Sequence, residues 1–137
     1  MRLFSAVLLV AATPLAAQEA PLPDLPFQSG EGEVFCVIVT GERNHVRCDL
    51  YGGTLTFADP PEDCDDGWGY AFEVGITGSG KVLCTDDSVI DETIQVMEPG
   101  YSHSRGGVAC FSEEGDMTCL NAENLGFTLR QDEQVLY

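Results

Sequence analysis

Apolar and polar positions along this chain fall into short runs separated by turn formers, and the runs read as strands. Val34-Phe35-Cys36-Val37-Ile38-Val39-Thr40 is a continuous β-branched and apolar stretch, the pattern of a strand buried on both faces. Gly41-Glu42-Arg43-Asn44 is a turn, His45 to Leu50 returns, and Gly53 to Phe57 follows as a further extended run. The stretch from Asp59 through Pro60, Pro61 and Cys64 to Gly67 breaks regular structure. Beyond it Trp68, Tyr70, Phe72, Val74 and Ile76 alternate with Gly69, Ala71, Glu73, Gly75 and Thr77. This period of two predicts a strand with those five large side chains on one buried face.

Gly78-Ser79-Gly80 turns the chain into a run from Lys81 to Thr85, and Ile94 to Met97 is a short strand that ends at Pro99-Gly100. Val108 to Phe111 and Met117 to Leu120 flank a turn at Glu113-Glu114-Gly115-Asp116, while Gly126 to Leu129 and Val135 to Tyr137 close the chain. No segment carries a helical period. The pattern therefore predicts an all-β domain over residues 29–137, a small antiparallel barrel or sandwich of about eight to ten short strands.

The first residues do not belong to that pattern. Arg2 precedes an apolar stretch from Leu3 to Ala12, Pro14 breaks it, and Leu15-Ala16-Ala17 supplies small residues for cleavage. Residues 1–17 read as an export signal cut after Ala17, with Ala20 as the alternative. The apolar run is shorter than the roughly 20 residues a membrane span needs. Pro21, Pro23 and Pro26 make residues 18–28 a stiff, extended linker. The expected location is secreted or periplasmic.

Charge narrows the partners. The 137 residues carry 23 acids against 6 Lys+Arg, a formal net charge of -17, which excludes the basic face that nucleic acid requires. Hydrophobic residues at 44% form clear runs, so the acidity is not that of a disordered chain.

Six cysteines in an exported small domain read as three disulfides, with 15 possible pairings. Hairpin geometry favours Cys36–Cys48 and Cys110–Cys119, because the midpoint of each pair falls inside a turn, and this leaves Cys64 with Cys84. The two hairpins echo one another as Gly32-x-x-x-Cys36 with Cys48 and Gly106-x-x-x-Cys110 with Cys119, an echo that shared hairpin geometry explains. No Cys-x-x-Cys pair occurs, so no thiolate metal site is expected.

Several motifs occur in a characteristic order: Phe27-Gln28-Ser29-Gly30, Cys36 and Cys48, Asp59-Pro60-Pro61 before Cys64, Trp68-Gly69 and Cys84-Thr85-Asp86-Asp87. Gly106-Gly107-Val108-Ala109-Cys110, Thr118-Cys119-Leu120-Asn121, Gly126-Phe127 and the terminal Tyr137 complete the series. In this order the chain resembles a family of small secreted bacterial six-cysteine domains of unknown function. It departs from the family at the opening, where Glu31 and Glu33 stand in place of small and polar residues. The resemblance implies export and three bridges and brings no activity.

Candidate chemistry is sparse. Asp63, Asp65 and Asp66 with Trp68 form a candidate binding loop; carboxylates there could hold Ca²⁺, but EF-hand spacing is absent and ordinary turn chemistry accounts for the residues. His103 lies between Ser102 and Ser104, yet no nucleophile elbow accompanies it. Glu73 is the single charge of its strand among small neighbours and would need a second acid opposite it for paired-carboxylate hydrolysis. No catalytic residue, metal or other cofactor is assigned. The expected function is a non-catalytic binding or envelope-interaction domain for a basic protein or a cell-envelope component. A small secreted hydrolase using Glu73 or His103, or an acidic inhibitor of a basic enzyme, is the alternative.

Overall fold

The computed structural model describes residues 22–57, 59–65 and 67–137. The export signal expected at 1–17, residues 18–21 of the linker, and Asp66 lie outside the described residues. The described residues form two sheets and no helix. The first sheet contains β1 (Leu25–Ser29), β2 (Val34–Val39), β3 (His45–Leu50), β4 (Trp68–Gly75), β5 (Lys81–Cys84) and β6 (Val96–Met97), in the order β5-β4-β3-β2-β1-β6. The second contains β7 (Ser102–Arg105), β8 (Val108–Glu113), β9 (Asp116–Asn121), β10 (Gly126–Leu129) and β11 (Gln134–Leu136), in the order β11-β10-β9-β8-β7. The result is an open two-sheet sandwich rather than a closed barrel. Its strands pair antiparallel except β1 and β6, which run parallel.

Alternate positions of both sheets face the shared core. Phe27, Cys36, Ile38, Val46, Cys48, Phe72 and Val74 come from the first, and Val108, Cys110, Met117, Cys119, Phe127 and Leu129 from the second. Full burial of each large apolar side chain contributes about 1.5–3 kcal/mol. Phe72 meets Phe127 across the interface with ring centroids 6.0 Å apart.

All three disulfides expected from the sequence are formed: Cys36–Cys48, Cys64–Cys84 and Cys110–Cys119. The first and third join directly opposite residues of the β2–β3 and β8–β9 hairpins. Cys48 Sγ lies 3.6 Å from Cys119 Sγ, so these two bridges touch at the centre of the sandwich. At one corner the sheets approach backbone to backbone: a Cβ on Gly80 would stand 1.9 Å from the carbonyl oxygen of Gly126. Both glycine amides donate to the Tyr137 carbonyl there.

Three expectations need correction, and one strand was not anticipated. The linker read over 18–28 does not stay outside the domain. Leu25–Ser29 is β1, with Phe27 fully buried, and Thr40 and Arg105 donate to the carbonyls of Leu22 and Pro23. The alternating face of β4 is buried only at Phe72 and Val74, whereas Tyr70 and Ile76 are exposed. Ile76 lies beyond the end of β4, and at Tyr70 the strand is bulged: four residue steps on β4 oppose two on β5, and Gly69 sits at φ +91° where a Cβ would strike Leu55. The run from Gly53 to Phe57 is no ladder strand, because its partner is largely a side chain. Gln134 accepts from the Thr56 amide and donates to the Thr54 carbonyl, while the Thr54 amide donates to the Gln131 carbonyl. Ser102–Arg105 has no apolar pattern yet is edge strand β7.

Residues 85–95 carry the chain from β5 at one edge of the first sheet to β6 at the other. This strap crosses the outer face and partners the buried Asp49 and Gln28 and the half-buried Arg47 there. Arg47 donates to the Asp87 carbonyl at 2.9 Å, Asp49 accepts from the Val89 amide at 2.9 Å, and Gln28 donates to the carbonyls of Ile94 at 2.8 Å and Glu92 at 3.2 Å. The strap takes these groups out of water and supplies the partners that burial demands; a buried group left without one costs about 1–3 kcal/mol.

Candidate functional site

Two clefts open on the outer face of the first sheet. The first, about 430 Å³, is lined by Glu73, Arg43, Lys81 and the turns beside them. Glu73 projects from β4 away from Phe72 and Val74, and its direct neighbours across the sheet are Arg47 and Lys81. Arg43 donates to both carboxylate oxygens at 2.8 and 3.1 Å, and the Lys81 ammonium lies 3.2 Å away. His45 Nε2 stands 3.7 Å from the same carboxylate.

Burial alone would push the Glu73 carboxyl up. The hydrogen bonds and charges of Arg43 and Lys81 outweigh it and hold the group below the ordinary glutamate range. A general acid of paired-carboxylate hydrolysis needs the opposite shift. Glu73 thus occupies a cleft with polar partners in reach, but those partners are cations, and no acid stands opposite it on β3 or β5. Glu42 lines the rim.

The second cleft, about 400 Å³, lies between the start of the strap and β4. Trp68, Tyr70 and Ile90 form much of its wall, and Asp86 and Asp87 stand at its edge. Beneath it, Arg47 makes a two-pronged contact with Asp49 at 2.9 and 3.1 Å and reaches Asp87 Oδ1 at 2.7 Å. Thr85 and Arg47 both donate to Asp87, which holds its carboxyl below the usual aspartate range. Trp68 is half-buried and Tyr70 is 47% exposed.

The sequence-derived candidates separate in space. Trp68 lines the second cleft. Asp63 and Asp65 are exposed on the loop that Cys64–Cys84 ties to β5, and they do not line that cleft. His103 lies opposite Cys110 with its ring 5.0 Å from Phe27, in a shallow hollow of about 200 Å³ with Tyr101 and Glu98. Its neighbours Ser102 and Ser104 project to the other side of the strand, so the three are not assembled. The Sγ atoms of Cys36, Cys48 and Cys119 lie within 4.8 Å of one another, but as members of two stacked disulfides and not as thiolates.

Arg47, Asp49 and Asp87 escaped the sequence reading. The core residues Val46, Cys48 and Leu50 that alternate with them place Arg47 and Asp49 on the outer face, but no local signal identifies an aspartate forty residues away as the partner of Arg47.

No family model matches the chain. An 88-residue stretch, 61% of the chain, is 33% identical to ATP-sensitive inward rectifier potassium channel 10 of Rattus norvegicus, of which it spans only 21%. No solved structure matches the chain. Three closed bridges belong to an oxidising environment. Among the described residues no helix is long and apolar enough to cross a membrane.

Proposed function

We propose that this chain is an exported, secreted or periplasmic, non-catalytic binding domain whose partner is a basic protein of the cell envelope. One observation carries the reading: among the described residues every Lys and Arg except Arg105 is paired with a carboxylate, and Arg105 donates to the Pro23 carbonyl. Among the described residues Arg43 and Lys81 pair with Glu73, Arg47 with Asp49 and Asp87, and Arg130 with Asp116. The remaining carboxylates of a chain with net charge -17 face solvent with little local compensation. Such a field speeds encounter with basic proteins and repels anionic lipid and nucleic acid. The resemblance to secreted six-cysteine domains supports export, and an inhibitor of a basic enzyme is one form this function would take.

The test is capture from envelope extract by the immobilised mature domain at low and at moderate salt. A basic protein retained at low salt and released at moderate salt is the expected result. Retention of neutral or acidic proteins that ignores salt would overturn the reading. A second reading, a small hydrolase, rests on the placement of Glu73 in a cleft; hydrolysis of any substrate that Glu73→Gln abolishes would establish it.

A further inference from the structure

We infer that the cleft between β4 and the strap receives an arginine side chain from the basic partner, stacked against Trp68 and Tyr70 and capped by Asp86. This deepens the binding reading proposed above and rests on it. The walls present Trp68, Tyr70 and Ile90, with Tyr70 47% and Ile90 36% exposed, in a domain whose other β4 apolar groups Phe72 and Val74 are fully buried. Aromatic faces held open beside carboxylates attract a flat, weakly hydrated cation with an apolar stem.

Charge supplies the complement. Asp86 is exposed at the edge of the cleft, and among the described residues no cation is paired with it. Asp87 uses Oδ1 for Arg47 and Thr85. The same corner already binds one guanidinium, that of Arg47, from below through Asp49 and Asp87. A neutral apolar segment would leave Asp86 beside a dehydrated surface, which is unfavourable. A second copy of the chain is disfavoured by the net charge of -17 on each molecule.

The single tryptophan of the sequence, Trp68, is a built-in reporter. The probe is a short glycine–serine peptide carrying two arginines, compared with the same peptide carrying citrulline and with a lysine version. The arginine peptide is expected to change Trp68 emission saturably. The citrulline peptide, equal in shape but uncharged, should bind at least about tenfold more weakly, and Tyr70→Ala and Asp86→Asn should each weaken the arginine peptide by up to about tenfold. Both substituted side chains are exposed, and near-ultraviolet dichroism checks that the fold is kept.

Equal binding of arginine and citrulline peptides, or unchanged binding by both variants, would overturn the inference. Stronger binding of the lysine peptide would overturn the stacking geometry. Capture from envelope extract separates the two levels. If Tyr70→Ala and Asp86→Asn still retain a basic protein in a salt-dependent way, the cleft is not the contact while the basic-partner reading stands. If the unsubstituted domain retains none yet binds the arginine peptide through Tyr70 and Asp86, the cleft stands and the partner class falls.

Discussion

At the scale of single residues, Glu73 shows how a buried charge is kept. Its carboxyl lies below the ordinary value near 4.3, because bonds from Arg43 and Lys81 overcome burial. A depressed folded value means that its contribution to stability is complete above the unfolded value and disappears as pH falls through the folded one. The urea-unfolding midpoints of the native sequence and of Glu73→Gln should therefore differ most near neutrality and converge below about pH 4. A gap that stays constant down to pH 3 would show that the ionised carboxylate adds nothing. Ser112 is the opposite case: its hydroxyl is buried without a hydrogen-bond partner. Ser112→Ala is expected to leave the domain as stable or raise it by about 1 kcal/mol, as read by denaturant melts.

At the scale of elements, the strap and the bulged strand are the features that shape the site. Asp49→Ala removes the acceptor of Val89 and the two-pronged partner of Arg47. The expected cost is about 3 kcal/mol, with hydrogen exchange accelerated first at Val89 and the rest of 85–95. Uniform acceleration across both sheets would mean that the strap is not an independent unit.

Strand β4 offers a second comparison. Phe72→Ala should cost about 3–5 kcal/mol because Phe57 and Phe127 pack against it. Tyr70→Ala should stay within about 0.5 kcal/mol because the bulge has turned that residue outward. The sequence alternation alone would give the two positions equal weight.

At the scale of the whole molecule, the stacked bridges hold the sandwich. Cys36–Cys48 and Cys110–Cys119 each close one hairpin and meet at the centre, while Cys64–Cys84 secures the acidic loop to an edge. Titration of the denatured, unreduced protein should find no free thiol. Serine at Cys36 and Cys48 together should cost about 2–5 kcal/mol. A titration near six thiols would remove the disulfide framework. The long-range field belongs to this scale too, since it comes from many carboxylates at once, and neutralising Asp63 and Asp65 to Asn should weaken salt-dependent capture only slightly.

Local pattern determined what neighbouring residues decide. Alternation and turn chemistry in the chain marked β2, β3, β4, β8, β9 and β10. Because a hairpin sets its register through its turn, the sequence also indicated which cysteines would face each other. The acidic charge was equally readable.

Tertiary structure decided what depends on distant partners. Leu25–Ser29, proline-bearing and short, becomes a strand because β2 and β6 supply its bonds. Ser102–Arg105 becomes one because β8 does. The bulge between Trp68 and Phe72 is defined against β5, and Gly69 within it packs against Leu55, a residue no local pattern brings there. The second cleft is built between a strand and a loop that meet only because the chain crosses the sheet from one edge to the other. Arg47 and Asp87, separated by forty positions, bind there through a contact that no local period encodes.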